Sequence, residues 1–116
     1  VHGEMGTVAL FTSVSAAERP AFFGDTFLWK CLNDMAFSHT PWVRLDGDRP
    51  LPLWGTDGAQ PRRVRITPAG EAVAAGKTDA IAASGVDRWI GGVHLRGRSD
   101  SPWRWDRQAA TMQARA

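Results

Sequence analysis

The spacing of apolar residues in the first third of the chain predicts two helices. Thr7 is placed to cap the first helix, whose apolar positions suit one buried face, and Pro20 stops it after about Arg19. Asp25 is placed to cap the second helix, in which apolar residues recur at intervals of three and four: Phe27, Leu28, Cys31, Leu32 and Met35. We therefore predict a helical pair over residues 7–37.

From Pro41 the helical spacing gives way to short alternating stretches, which predict a hairpin. Residues 42–45 read as a short strand, and residues 46–48 (Asp-Gly-Asp) supply turn chemistry. Residues 62–66 then alternate polar and apolar side chains, as a half-buried strand does. We predict a hairpin over residues 41–66 with an extended tip, and call it the wing hairpin.

A third helix is predicted directly after the wing hairpin. Thr67 before Pro68 is typical of a helix start, because threonine caps unpaired amides and proline at the first helical position gives up no needed donor. Val73 and several alanines supply a thin apolar stripe, and Gly76 ends the helix. The predicted helix covers residues 67–76.

Two strands and a tail are predicted to complete the chain. The strands, over residues 87–95 and 103–106, together predict a second hairpin spanning 87–106. The pair Gly91-Gly92 lies inside the first of them, which indicates a bulge or the close approach of another backbone. The tail over residues 107–116 is rich in Ala and Gln, and we expect it to extend as a helix or to fray.

The order of these elements and several short strings resemble known proteins. Helix, linker, helix, strand, long loop, strand is the order of a winged helix-turn-helix domain. The strings resemble the C-terminal region of a bacterial family of unknown function, whose longer members carry a winged-helix-like module near their ends. They lie at residues 9–11 (ALF), 18–25 (ERPAFFGD), 66–70 (ITPAG), 87–95 (DRWIGGVHL) and 103–106 (WRWD). The resemblance implies a single winged-helix-like α+β domain over residues 1–116, and it implies no activity.

The chain departs from the winged-helix pattern at its start. A winged helix has an additional helix before the first one predicted here, and only residues 1–6 stand in its place. The apolar faces of the other two helices are then partly uncovered, and exposed apolar surface on a small protein tends to acquire a partner. We therefore predict a homodimer. Because the chain begins at Val1 rather than Met, we also expect a processed, trimmed or gene-fragment product.

Composition and charge narrow the class of protein. Of the 116 residues, 33 are large apolar side chains, which suffices for one small domain. No apolar run is long enough to cross a bilayer, no signal peptide leads the chain, and the single Cys31 cannot form an internal disulfide, so we predict a cytoplasmic protein. The net charge of +2 divides unevenly, with −3 over residues 1–60 and +5 over residues 61–116.

The basic second half makes nucleic acid the first candidate partner. Guanidinium groups on the second wing strand and beside the C-terminal strands can follow phosphates, and Lys30 lies on the helix that would read bases. Asp25 and Asp34 on that helix would repel the backbone, so we expect contact through the wing instead. The candidate residues are Arg62, Arg63, Arg65, Arg96, Arg98 and Lys30. The alternatives are an acidic protein partner and a merely solvated arginine surface.

Tryptophan gives a second candidate site. Trp89, Trp103 and Trp105 lie beside arginines and could stack bases or bind a sugar or an aromatic ligand. A chain this poor in large aliphatic side chains also needs bulk for its core. We therefore expect these three indoles to be packed inside the domain.

Enzymatic chemistry is the remaining alternative. Ser84, Asp87 and His94 are the residue types of a nucleophile, an orienting acid and a base, although no Gly-x-Ser-x-Gly motif surrounds the serine. The runner-up function is thus a small hydrolase with a Trp-lined pocket beside the loop at residues 47–61. The histidines are scattered and there is one cysteine, so we expect neither a metal site nor a cofactor. A third alternative is a structural C-terminal module of a larger protein.

Overall fold

The chain folds into a mixture of helices and small antiparallel sheets, which confirms the α+β class. It divides into two compact units, Val1–Lys77 and Thr78–Ala116, which we call the N-terminal and C-terminal units. The single domain over residues 1–116 stays a prediction. A computed structural model describes residues 3–19, 24–54, 62–98 and 103–114. Within these ranges, no helix has the length and apolar character needed to cross a membrane.

Besides one turn of 3-10 helix at Asp46–Asp48, the N-terminal unit contains three α-helices and one three-stranded sheet among its described residues. In chain order these are β1 (Glu4–Gly6), α1 (Thr7–Ala17), α2 (Asp25–Ala36), β2 (Val43–Leu45), β3 (Arg63–Ile66) and α3 (Pro68–Ala74). The sheet has the order β1-β3-β2 and is antiparallel throughout. The helical pair and the pairing of β2 with β3 agree with the sequence prediction, whereas β1 was not predicted. The hairpin tip at residues 55–61 lies outside the described residues.

The register of the sheet gives it one apolar and one charged face. Arg44 of β2 lies opposite Arg65 of β3, and Leu45 lies opposite Val64. Met5 of β1 lies opposite Val64 on the other side. Since successive side chains of a strand point to opposite faces, the buried Leu45 and Val64 direct the arginines outward.

The core of the N-terminal unit lies where α2 meets the apolar face of the sheet. Its buried members are Leu28, Trp29, Leu32, Leu45, Leu51 and Val64. Leu51 belongs to the loop after β2, and Asn33 of α2 fixes it through two hydrogen bonds. The Asn33 side-chain amide donates to the Leu51 carbonyl at 2.9 Å, and the Leu51 amide donates to Asn33 Oδ1 at 2.7 Å. The loop therefore closes one edge of the core.

Helix α3 begins as its sequence predicts. The Thr67 hydroxyl accepts a hydrogen bond from the Gly70 amide at 3.0 Å and donates one to the Pro41 carbonyl at 2.7 Å, with Pro68 at the first helical position. A Cβ on Gly70 would lie 2.1 Å from the Trp42 carbonyl oxygen. Glycine at this position therefore lets α3 pack directly against the chain that enters β2.

The C-terminal unit consists of one short helix and two hairpins among its described residues. The elements are α4 (Ala80–Ser84), β4 (Val86–Ile90), β5 (Val93–Gly97), β6 (Trp103–Asp106) and β7 (Thr111–Ala114). Strand β4 pairs with β5, and β6 pairs with β7. The prediction of one hairpin over residues 87–106, formed by a strand over 87–95 and a second over 103–106, was wrong.

Two local turns account for this difference. Gly91 and Gly92 have φ values of +57° and +80° and form the two-residue turn between β4 and β5, rather than the bulge or the close backbone approach that we predicted. Asp106 Oδ1 accepts hydrogen bonds from the Gln108 and Ala109 amides, both at 2.9 Å, and so begins the turn that returns the chain as β7. The described part of the tail, residues 107–114, thus forms a turn and a strand, and the prediction of a helical or frayed tail was wrong there.

Asp79 joins the helix of the C-terminal unit to its second hairpin. Its Oδ1 caps α4 by accepting the Ile81 and Ala82 amides at 3.0 Å, and its Oδ2 accepts Arg104 Nε at 2.8 Å. The Arg104 guanidinium and the helix amides hold the pKa of Asp79 at about 2. No described residue of this unit is fully buried, so β6 has no apolar core to hold it. The ion pair between Asp79 and Arg104 holds the strand instead.

Candidate nucleic-acid interface

The outer face of the N-terminal sheet gathers arginines from two strands around one carboxylate. Arg63 and Arg65 alternate with the buried Val64 on β3, and the register places Arg44 beside Arg65 on one side and Glu4 beside it on the other. We call the surface formed by Arg44, Arg63, Arg65 and Glu4 the arginine face. Since it carries three guanidinium groups and one carboxylate, its formal charge is +2.

Glu4 is held by two of these arginines. Its Oε1 accepts Arg63 Nε at 2.6 Å, and its Oε2 accepts Arg65 Nη2 at 2.6 Å. Hydrogen bonds from Arg63 and then Arg65 lower the pKa of the Glu4 carboxyl. The two arginine side chains remain 61% and 68% exposed. Arg44 is exposed and has no ion-pair partner among the described residues. All three guanidinium groups are therefore accessible to an anion.

An open cavity of about 280 Å³ lies over the arginine face. The turn after β2 adds Asp46 and Asp48 to the lining of this cavity. Asp46 is already paired, because its Oδ1 accepts Arg62 Nε at 2.7 Å, and this hydrogen bond is the main cause that lowers the pKa of the Asp46 carboxyl. Including these two carboxylates and Arg62, the surface still carries a formal charge of +1.

Arg62 and Lys30 occupy different places from the other predicted phosphate ligands. Besides its bond to Asp46, Arg62 donates from Nη2 to the carbonyl oxygens of Asp46 and Arg49, both at 2.7 Å, and its side chain is 14% exposed. It therefore ties the turn after β2 to the start of β3. Lys30 lies on α2, where Nζ contacts Asp34 at 2.8 Å one helical turn away.

Sequence reasoning missed Arg44, although its alternation with Val43 and Leu45 was a usable signal.

The two C-terminal arginines belong to the other unit. Arg96 lies on β5 opposite Asp87 of β4, and Arg98 follows the strand and donates from Nη2 to the Ala83 carbonyl at 3.3 Å. The structure therefore brings together Arg63 and Arg65 and adds Arg44 within the N-terminal unit, whereas Arg96 and Arg98 belong to the C-terminal unit.

The β4–β5 hairpin assembles part of the proposed catalytic set. His94 Nε2 lies 2.6 Å from Asp87 Oδ1, and the His94 ring stacks on Trp89 with centroids 4.6 Å apart and planes 12° apart. The Ser84 hydroxyl is buried and has no hydrogen-bond partner within the described ranges. Asp87 and His94 thus meet without the serine, and the hydrolase function stays a prediction. The usable signal for the stacked indole was the Gly91-Gly92 pair, because a two-residue turn at these glycines places Trp89 opposite His94.

The tryptophans of the C-terminal unit lie on its surface. Trp89 is 71% exposed, Trp103 55% and Trp105 60%. The prediction that these three indoles fill the core was wrong, because the hairpins that carry them have no covering layer among the described residues. Trp103 and Trp105 share one face of the β6–β7 hairpin with Met112, which lies opposite Trp105. Trp29, on α2, is the tryptophan that the core uses.

A second cavity is apolar and lies in the N-terminal unit. It is a groove of about 510 Å³ between α1, α2 and the apolar face of the sheet. Its apolar lining includes Met5, Leu10, Val14, Met35 and Ile66. Neither this groove nor the cavity over the arginine face is lined by a tryptophan. The apolar surface of the groove therefore consists of aliphatic and methionine side chains, whereas the exposed indoles of the C-terminal unit are aromatic.

Comparison with known proteins finds no matching family model, no matching curated protein and no matching solved structure. Across the described parts of the chain, no group of three or more His, Cys, Asp or Glu side chains could hold a metal ion. The described residues define an α+β protein with three candidate binding surfaces. These are the arginine face, the apolar groove and the exposed indoles of the C-terminal unit.

Proposed function

We propose that this protein is a nucleic-acid-binding module of the bacterial cytoplasm that docks phosphates on its arginine face. The observation that carries the proposal is the convergence of Arg44, Arg63 and Arg65 on one accessible side of a sheet whose other side is apolar. Guanidinium groups match phosphate oxygens in charge and in geometry, and contacts of this kind supply most of the affinity for nucleic acid. An acidic protein partner is the alternative ligand.

We also propose that the N-terminal unit is winged-helix-like and related to the bacterial family that its sequence resembles. The order β1-α1-α2-β2-β3, with β2 and β3 paired and a long loop between them, supports this. In this proposal β2 and β3 form the wing, and the arginine face is the wing surface. The helix α2 contributes little to binding, because Lys30 is paired with Asp34 and Asp25 adds a second negative charge.

Fluorescence anisotropy with a mixed-sequence DNA duplex at low salt tests the phosphate contact. We expect the double variant Arg44→Ser, Arg65→Ser to weaken binding at least about tenfold, because two phosphate contacts are lost. Arg19→Ser with Lys30→Ser is the matched control, since it also removes two exposed cations, neither of them on the arginine face, and should leave binding within about twofold of the unaltered protein. Equal losses from the control and the double variant would contradict docking on this face.

The apolar groove supports the homodimer, which we propose as the state in solution. The groove leaves Met5 39% exposed. The N-terminal unit has eight basic and eight acidic residues, so two copies approach without net repulsion.

Light scattering at micromolar concentration measures this state directly. We expect twice the 12.7 kDa mass of one chain, and we expect Val14→Glu to return it to one chain by placing a charge in the groove. Val8→Glu is the control, because Val8 is 62% exposed on α1 and does not line the groove. A single-chain mass for the unaltered protein would overturn the dimer.

A further inference from the structure

We propose that the exposed indoles of the C-terminal unit stack on unpaired nucleobases, so that the ligand class of this unit is single-stranded nucleic acid. The residues are Trp89, Trp103 and Trp105, which we call the stacking indoles. This inference rests on the proposed function in one respect, the choice of nucleic acid as ligand. It concerns a different unit and a different kind of contact from the arginine face.

Trp89 is exposed and yet held in place. One face of its ring stacks on His94 at 4.6 Å, and Asp87 fixes His94 through the 2.6 Å contact to Nε2. The three side chains share one face of the β4–β5 hairpin, where the register places Trp89 directly opposite His94. The indole is nevertheless 71% exposed. A ring fixed in advance loses little side-chain entropy when a base stacks on it, which favours binding.

Trp103 and Trp105 present a second pair of rings at a suitable spacing. They stand two residues apart on β6, so their Cα atoms are separated by about 6.6–6.8 Å along the strand. This is about twice the 3.4 Å rise between stacked bases, which leaves room for one base between the two rings. The strand itself is fixed, because Arg104 points to the opposite face and pairs with Asp79 at 2.8 Å.

The charge of the unit favours a nucleic acid over a protein as the occupant of these faces. The C-terminal unit contains six arginines, four aspartates, no lysine and no glutamate, and so carries a net charge of +2. Arg96 of β5 lies opposite Asp87 and so shares the face of Trp89, and Arg107 follows the Trp103–Asp106 strand; both arginines are exposed. Exposed indoles and guanidinium groups close to them can contact the bases and the phosphates of one nucleic-acid strand together.

Titration of the full chain with an unlabelled dT oligonucleotide, followed by tryptophan fluorescence, tests the inference. We expect quenching, and we expect Trp103→Ala with Trp105→Ala to weaken single-strand binding between about fivefold and about 150-fold per indole. Trp89→Ala should weaken it by a factor in the same range. Trp54→Ala is the control, because Trp54 is 87% exposed in the N-terminal unit and should change affinity less than twofold.

Leucine variants separate stacking from apolar contact. Trp103→Leu with Trp105→Leu keeps an apolar surface and removes the extended rings, so we expect most of the loss seen with alanine. Full binding by the leucine variant would overturn the inference. A lower oligomeric mass of either variant in light scattering would also overturn it, because the indoles would then contact a second copy. Circular dichroism checks that each variant is folded.

The outcomes also distinguish this inference from the proposed function. If duplex binding depends on Arg44 and Arg65 while the tryptophan variants bind dT like the unaltered protein, the arginine face stands and the stacking inference fails. If dT binding depends on the indoles while the arginine variant binds duplex normally, the stacking inference stands and the arginine face fails. If neither ligand binds at tens of micromolar protein, both fail.

Discussion

Glu4 controls how much positive charge the arginine face offers to a ligand. Its carboxylate occupies donors of both Arg63 and Arg65, so a phosphate must compete with it for the same guanidinium groups. An exposed network of this kind contributes little to the free energy of unfolding, because water screens it. Its main effect is therefore on binding.

Glu4→Gln tests this competition. We expect the affinity for DNA at low salt to rise by about threefold or more, because the charge of the face increases from +2 to +3 while its shape is kept. The stability should fall only slightly. Anisotropy and urea unfolding measure the two effects separately. An unchanged or weaker affinity would mean that the ligand does not contact this face.

At the scale of elements, Asp79 links α4 to β6, and this link depends on pH. The pKa of Asp79 lies at about 2 in the folded protein, below its ordinary value of 3.8, because of Arg104 and the capped amides. A carboxyl group whose pKa is lowered on folding stabilises the folded state at pH values above its pKa in the unfolded chain. That stability is lost as pH falls from about 4 to about 2.

Asp79→Asn should remove this contribution. We expect a loss on the order of 1–2 kcal/mol at pH 7, since the amide cannot pair with Arg104 as a carboxylate does, and a weaker pH dependence between about pH 4 and about pH 2. Urea unfolding followed by tryptophan fluorescence measures both. Asp34→Asn is the control, because its pair with Lys30 is half exposed and should contribute no more than about 0.5 kcal/mol. Identical pH profiles for Asp79→Asn and the unaltered protein would contradict the link.

Elements with strong local periodicity could be predicted from the sequence, and elements fixed by distant pairing could not. Helix α2 repeats its apolar residues at three and four, and Thr67-Pro68 specifies the start of α3, so both follow from neighbouring residues. Strand β1 has three residues and exists because it pairs with β3 about 60 positions later. Strand β7 pairs locally with β6, and it was missed because the turn that Asp106 begins was not recognised in the sequence.

The residues of the candidate site also divide into those that could be predicted from the sequence and those that could not. Arg63 and Arg65 could be identified from their alternation with Val64, because burial of one face of a strand exposes the other. The engagement of Arg62 by carbonyl oxygens could not be predicted, since it depends on the path of the turn at residues 46–49. The exposure of Trp89 was also inaccessible, because composition says how many indoles exist and not which surface covers them.

At the scale of the whole molecule, folding brings basic residues of the second half of the sequence together with acidic residues of the first half. Residues 61–116 carry a net charge of +5, but Arg62, Arg63 and Arg65 belong to the N-terminal unit, where carboxylates from residues 1–60 pair with them. The N-terminal unit is neutral overall and the C-terminal unit carries +2. Any phosphate binding by the N-terminal unit therefore depends on local clustering and not on net charge.

The salt dependence of duplex binding tests phosphate docking on the arginine face most directly. Three phosphate contacts predict that log K falls with log salt concentration with a slope of about −2.7, and the Arg44→Ser, Arg65→Ser variant should reduce that slope by about 1.8. Anisotropy titrations between low and physiological salt measure both slopes. An affinity insensitive to salt, or a variant with an unchanged slope, would contradict the account.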